Sequence, residues 1–372
     1  MSGNLGRLCL GLFVAGAALS CGNPPTRQST TQTKTVVAHQ LVPNVMILVD
    51  RSGAMTTNTS VAAPCPGTIG ACGPGNPCPS GCNTRIDDVK TSLDSMLGVN
   101  GPQLRVGVSY FPSDSACGAA NANTMLVPLL PPALSDDTLQ NQAQANAATV
   151  AISGLVPQGG MPTAESLRFL ASQPELSDVN RENFVMLFTS GAPDCNSTPG
   201  DAVAAATELS AKKIRTIVMA IGADALSATD VDALNRLAVA GDFARACPLG
   251  TDAECGSGDT CDQTQRLCNH AFFGASDAQQ LTQQLLQMTQ QTAVSDQICT
   301  AQLTRATPAD VEHLEVTVNN LPFAACASAT NCNTWTYDAG TNSVVFHGLL
   351  CDEIKNATQA QPAQLAFTVT SG

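Results

Sequence analysis

Val45-Met46-Ile47-Leu48-Val49-Asp50-Arg51-Ser52-Gly53-Ala54-Met55 is the stretch that decides the fold. Its apolar run has no polar break, stops at an acid, and gives way to Arg, Ser and Gly. A half-exposed strand would alternate apolar and polar residues. An unbroken run of this length reads instead as a strand covered on both faces, the setting of a parallel sheet between helical layers. Phe184 to Phe188 and Ile214 to Ile221 have the same character, and Leu104 to Phe111, Thr124 to Leu130 and Ala271-Phe272-Phe273 supply further strands. Segments of helical spacing lie between and after them. Arg85 to Leu97 carries Ile86, Val89, Leu93 and Leu97 on one stripe. Asp136 to Leu155, Pro162 to Ala171, Ala202 to Lys213, Asp230 to Val239 and Asp277 to Gln290 follow. This alternation predicts an α/β unit over residues 41–293, doubly wound around a mostly parallel sheet.

Two cysteine-rich inserts interrupt that unit, at 56–83 and 245–269. The first holds Cys65, Cys72, Cys78 and Cys82, and the second Cys247, Cys255, Cys261 and Cys268. Both centres read C-G-x-G-x-x-C, the clearest internal repeat in the chain. Zinc sites favour cysteines about two to four residues apart, often with histidine. These spacings are wider, and only His270 lies near either insert. Each insert therefore reads as a self-contained disulfide knot, with the pairing inside it left open. Cys117 and Cys195 lie outside every cluster and are candidates for a long-range pair, as are Cys299 and Cys351. From Cys299 onward the pattern changes to short alternating runs: Leu314 to Val318, Trp335 to Tyr337, Val344 to Phe346 and Leu365 to Val369. No long helical pattern intervenes, so residues 294–372 read as a small antiparallel β unit closed by Cys299, Cys326, Cys332 and Cys351.

Ahead of the α/β unit, Leu8 to Leu19 is an apolar run of 12 residues behind a short polar stretch with one Arg. A bilayer takes about 20, and the run fits the apolar region of a secretory signal peptide. It ends in Ala18-Leu19-Ser20-Cys21. Small residues directly before a cysteine resemble the lipobox of bacterial lipoproteins, although the family's Leu three residues before the cysteine is Ala18 here. The resemblance implies a cleaved signal over 1–20, acylation of Cys21, and a membrane-anchored lipoprotein of the bacterial envelope, in the periplasm or at the cell surface. Residues 21–40, rich in Thr, Gln and Ser, then read as the lipid anchor and a flexible tether. Removing Cys9 with the signal and Cys21 to the lipid leaves 14 of the 16 cysteines, an even number suited to an oxidising compartment. The formal charge of −13 argues against a nucleic-acid partner and against adsorption to an anionic surface, both of which need clustered Lys and Arg.

Three segments together resemble the metal-ion-dependent adhesion site of von Willebrand factor type A domains. Val45 to Met55 is similar to that family's first strand and its D-x-S-x-S loop. Gln158-Gly159-Gly160-Met161-Pro162-Thr163-Ala164-Glu165-Ser166-Leu167 resembles its G-G-T-P-T-A-x-x-L loop. Val185-Met186-Leu187-Phe188-Thr189-Ser190-Gly191 resembles its strand followed by T-D-G. In an open parallel sheet, ligands sit beyond the carboxyl ends of the strands, so the resemblance implies that these three loops converge. The family's five ligand positions, Asp, Ser, Ser, Thr and Asp, read here as Asp50, Ser52, Ala54, Met161 and Ser190. Ala54 offers no oxygen, Met161 offers a soft thioether, and Ser190 brings no charge, whereas hard cations want about six oxygens. The implied metal site is degenerate, reduced to Asp50, Ser52 and Ser190, with Thr163 and Asp194 as further oxygen donors nearby. Mg²⁺ is the ion the family would bring, and no other cofactor is expected. The implied function is a lipid-anchored extracytoplasmic module that binds an unidentified protein partner in the envelope or outside the cell. The alternatives are a structural envelope component and an adhesin with residual dependence on divalent cations. No G-x-S-x-G, H-E-x-x-H or G-x-x-x-x-G-K-[ST] is present and the four histidines share no spacing, so an enzyme is not expected.

Overall fold

The run Val45–Val49 lies in the interior of a six-stranded sheet, in a strand whose every residue is buried. A computed structural model describes residues 30–38, 41–58, 84–133, 136–178, 181–195, 197–223, 226–256, 258–275, 299–303, 311–357 and 361–371. Strand β1 is Thr30–Ala38 and β2 is Asn44–Asp50. Helix α1 (Arg85–Asn100), β3 (Arg105–Phe111), β4 (Met125–Val127), α2 (Thr138–Ser153) and α3 (Thr163–Leu170) follow. Next come β5 (Asn183–Thr189), α4 (Pro199–Ala211), β6 (Ile214–Ile221) and α5 (Ala228–Ala240). A two-stranded hairpin, β7 (Cys261–Asp262) and β8 (Leu267–Cys268), precedes β9 (Phe273–Ala275). The helix expected over Asp277–Gln290, the four cysteines of the first insert, and residues 1–29 lie outside the described residues.

The six-stranded sheet has the order β4-β3-β2-β5-β6-β9. β3, β2, β5, β6 and β9 run parallel, and β4 pairs antiparallel with β3 at the edge, so the sheet is mixed. β4 is shorter than the strand expected over Thr124–Leu130. Pro128 follows it directly and has no N–H to extend the ladder. Alternate side chains of each strand feed two separate cores. Val45, Ile47 and Val49 pack with α1 and α2 on one face. Met46 and Leu48 pack with α3, α4 and α5 on the other. Thr84, Thr198 and Ser227 cap α1, α4 and α5, each paired with an Asp three residues on, at Asp87, Asp201 and Asp230. Each box satisfies two amide groups that the first turn leaves without partners.

The opposite end of the sheet is held by buried charge. The fully buried Arg181 side chain donates to Asp136 Oδ1 at 2.6 Å and to the carbonyls of Val42 (2.7 Å) and Ala133 (2.9 Å). Asp136 Oδ2 in turn accepts from the Val42 amide at 2.8 Å. This network fixes the chain where it enters β2.

The C-terminal unit is built from β10 (Thr300–Gln302), β11 (Leu314–Val318), β12 (Leu321–Phe323), β13 (Trp335–Asp338), β14 (Ser343–Phe346), helix α6 (Gly348–Lys355) and β15 (Ala363–Ser371). Its sheets, β1-β15-β11-β12 and β10-β14-β13, share one core around Trp335, Val316, Phe346 and Phe367. The Trp335 indole donates to the Phe323 carbonyl at 2.6 Å, so its polar edge is satisfied inside that core. Two features depart from the sequence expectation. First, Thr30–Ala38, read as tether, is a strand paired antiparallel with β15 along its whole length, from Thr30 opposite Ser371 to Ala38 opposite Ala363. The α/β body is therefore spliced between the first strand of the β unit and the rest of it. Second, α6 is a short helix in a region read as strands and turns, with no long helical pattern. It buries Leu350, Cys351 and Ile354, and its Cys351 is bonded to Cys299.

Among the described residues five disulfides are formed: Cys117–Cys195, Cys247–Cys261, Cys255–Cys268, Cys299–Cys351 and Cys326–Cys332. Both expected long-range pairs are among them, and the second insert closes on itself. Cys247, Cys255 and Cys268 form the one grouping of metal-type ligands among the described residues, but their sulfurs are spent in disulfides rather than available as thiolates. Such bonds belong to an oxidising compartment outside the cytoplasm. No helix among the described residues is long and apolar enough to cross a membrane.

Candidate functional site at the carboxyl edge of the sheet

β2 and β5 are parallel neighbours, with Val49 in register with Phe188, so Asp50 and Ser190 leave the sheet side by side. Asp50 is fully buried. One carboxylate oxygen accepts from the Ser52 amide at 2.6 Å, and the other accepts from the Ser190 amide at 3.0 Å and the Ser190 hydroxyl at 2.8 Å. The loop between α2 and α3 is stitched to the same place. The Gln158 amide donates to the Arg51 carbonyl at 2.6 Å, and the Gly53 amide to the Gly159 carbonyl at 2.8 Å. Gly159 has φ +68° and sits so near the Ala116 carbonyl that a β-carbon would come within 2.5 Å of it. Both facts call for glycine there.

Met161 occupies the fourth ligand position of the resembled motif. Its sulfur lies 3.3 Å from the Ser190 hydroxyl, which has one proton and two acceptors within reach, Asp50 Oδ2 and Met161 Sδ. Asp194 clamps the Met161 backbone: its carboxylate accepts the Met161 amide at 2.5 Å, and its own amide donates to the Met161 carbonyl at 3.2 Å. Asp194 thus holds the Met161 backbone in place and makes no hydrogen bond to Asp50. Thr163 is buried, with its hydroxyl directed to the Met161 carbonyl at 3.4 Å. Ser52 is buried, and its hydroxyl lies against Asp50 without the geometry of a full hydrogen bond. Ala54 is partly exposed on the turn that follows.

Two contributors carry no motif. Arg85, the first residue of α1, donates to the Ser190 carbonyl at 3.2 Å. Burial pushes its guanidinium below the ordinary value, while the nearby carboxylates of Asp50 and Asp230 work against that shift. Burial drives Asp50 the other way, above the ordinary carboxylate value, and the hydrogen bonds from Ser52 and Ser190 offset only part of it. Asp230 also pays for burial, but bonds from Ser227 and the Ala192 amide, with Arg85 nearby, hold it below the usual carboxylate value. The Cys117–Cys195 disulfide is the second contributor. It ties the loop after β3 to the loop after β5, and a β-carbon on Gly160 would collide with Cys195 Sγ and lie 2.7 Å from Asp194 Oδ1. The pairing was legible from the two unclustered cysteines, but its position beside the site was not. Arg51 forms the outer wall, stacked 4.4 Å over the Tyr110 ring and bonded to the Pro112 carbonyl at 2.9 Å.

No known protein-family profile matches the chain, and no curated protein matches it. Among solved structures the chain is similar to proximal thread matrix protein 1 from the mussel byssus, at 10% identity over 70% of this chain and 48% of that one, with a TM-score of 0.39. It is also similar to the pilus adhesin SpaC from Lactobacillus rhamnosus GG, at 13% identity over 94% of this chain and 42% of that one, with a TM-score of 0.41. A third similarity is to the VWA domain of SpRpn10, at 12% identity over 54% of this chain and 82% of that one, with a TM-score of 0.34. The chain spans less than half the length of the first two of these proteins.

Proposed function

We propose that this chain is a lipid-anchored, extracytoplasmic protein-binding module. Its von Willebrand A-like body, residues 41–293, presents the loops around Asp50 to a partner without a resident metal ion. The observation that carries this reading is that protein donors occupy both oxygens of Asp50: the Ser52 amide on one, and the amide and hydroxyl of Ser190 on the other. A hard cation needs about six oxygens and negative charge. Around Asp50 the chain offers two hydroxyls, the methyl of Ala54, the thioether of Met161, and the positive charge of Arg85 at the Ser190 carbonyl. These residues do not fit Mg²⁺. The stitched backbone and the Cys117–Cys195 bond support a rim that keeps its shape unaided, as a surface for protein contact requires. Ala18-Leu19-Ser20-Cys21 supports lipidation at Cys21, and the disulfides are those of an exported chain.

The test is affinity capture from envelope extract with the exported chain, in Mg²⁺ and in EDTA. A saturable partner retained in both supports the proposal. A partner lost in EDTA would establish a cation-dependent adhesin instead, and the absence of any saturable partner would favour a structural envelope component.

A further inference from the structure

Among the described methionines, Met46, Met55, Met96, Met186 and Met219 are at most 2% exposed. Met125 and Met161 are only partly buried, and Met161 alone sits in the candidate site. Its sulfur is within 3.3 Å of the Ser190 hydroxyl, the same hydroxyl that donates to Asp50 at 2.8 Å. Its backbone is held at both ends by Asp194, and the disulfide to Cys195 stands beside that aspartate. Met161 thus combines partial exposure of its side chain with a main chain fixed against the site.

We propose that Met161 is an oxidative modification site, and that its sulfoxide rewires the hydrogen bonds of the Asp50 pocket. The oxidant class is a peroxide of the kind an exported protein meets. The sulfur lone pair takes the terminal oxygen of hydrogen peroxide, the O–O bond breaks, and water leaves. Sulfur is oxidised by two electrons and the peroxide is reduced by two. A thioether is a feeble acceptor, whereas a sulfoxide oxygen is polar and accepts strongly. Ser190 has one hydroxyl proton, so a sulfoxide at this distance competes directly with Asp50 Oδ2 for it. The Asp194 clamp keeps the Met161 main chain beside the pocket, and where the sulfoxide takes the Ser190 proton the buried Asp50 keeps only its two amide donors. The pocket thereby acquires an oxidised and a reduced state that differ by one hydrogen bond. Methionine sulfoxide reductases reverse the change.

The test is limited treatment of the native full-length chain with hydrogen peroxide, followed by peptide mapping and thermal unfolding. It reads mass and melting temperature, so it stands or falls separately from any binding partner. Met161 should gain one oxygen at least about tenfold faster than the core methionines. The oxidised chain should melt several degrees lower, and enzymatic reduction should restore it. Met161→Leu should melt like the reduced wild type and be insensitive to the same treatment. In Ser190→Ala, Met161 should still oxidise but the melting temperature should no longer move, because no hydroxyl is left to divert. Oxidation of Met161 no faster than that of the core methionines, an unchanged melting temperature in the oxidised wild type, or an undiminished shift in Ser190→Ala would each overturn the proposal.

Discussion

Asp50→Asn keeps the shape of the side chain and removes its charge, so it isolates what burial does to this carboxyl. Asp50 accepts on both oxygens, whereas a carboxamide has one accepting oxygen and an NH₂. If the oxygen is kept toward Ser190, the bonds from its amide (3.0 Å) and hydroxyl (2.8 Å) survive, and the Ser52 amide at 2.6 Å then faces another donor. A buried N–H without an acceptor costs about 1–3 kcal/mol. For a body of this size each kcal/mol corresponds to roughly 2–4 °C, so the variant should melt about 2–12 °C below the wild type in mild acid. The pH dependence has a definite sign. Burial raises the folded-state value of Asp50 above 3.8, so the fold favours the protonated acid. Its contribution to stability is complete below the unfolded value of about 3.9 and is lost as pH rises through the folded value. Asparagine does not titrate, so the gap between wild type and variant should narrow as pH rises from about 4 toward neutrality. Thermal or urea unfolding of both proteins at stepped pH measures the gap, and other titrating groups cancel in the difference. A gap that widens with pH would refute the reasoning, because it would mean that the hydrogen bonds outweigh burial and hold Asp50 ionised. A gap absent at every pH would refute the placement of the Ser52 amide on Asp50.

Cys117→Ser with Cys195→Ser removes a bond across 78 positions and should lower stability by about 2–4 kcal/mol, read by denaturant titration of the two forms. Arg181→Met removes the positive charge that the buried Asp136 carboxylate faces, leaves it the Val42 amide alone, and should cost about 3–5 kcal/mol, with thermal unfolding as the measurement. The combined change Ala54→Ser, Met161→Thr, Ser190→Asp should create Mg²⁺-dependent stabilisation of about 2.7 kcal/mol at a hundredfold excess over Kd, while the wild type shows no shift between Mg²⁺ and EDTA. Cys21→Ser should move the chain from the detergent phase to the aqueous phase in a phase-partition assay, and persistence with washed membranes would count against lipidation.

The α/β body was legible because burial on both faces leaves its mark on sequence: Val45–Val49 and Phe184–Phe188 have no polar residue to betray an exposed face. The meeting of the three loops was legible for a related reason, since loops that leave the same edge of a parallel sheet converge whatever their side chains. The strand Thr30–Ala38 was not legible. Its Thr-Gln-Thr-Lys-Thr stretch has no apolar alternation, and it becomes a strand only because β15 offers it a partner from the far end of the chain. The eight-residue helix Gly348–Lys355 was too short for its periodicity to stand out, and its stability leans on Cys299 and the shared core. Nor could spacing reveal that Arg85 reaches the Ser190 carbonyl or that Asp194 serves Met161, because both contacts depend on the path of loops rather than on the period of an element.

The pairing of β1 with β15 also sets a timetable. The hydroxyls of Thr33 and Thr368 stand 3.3 Å apart across 335 positions. Closing a flexible loop of that length opposes pairing by about 5 kcal/mol, beyond a constant. Emerging from a translocation pore in order, the chain delivers Thr30–Ala38 first and its ladder partner last. For that whole interval the early strand has no β15 to join, while every pairing of the six-stranded sheet lies within the residues between. The α/β body can thus complete itself while the β unit waits, and the β unit should be the last part of the molecule to fold, slow in the way that long-range strand pairing is slow. A release that stops short of Ala363 would leave a finished body hanging beside an unfinished sheet, with Thr30–Ala38 open to pairing with another chain.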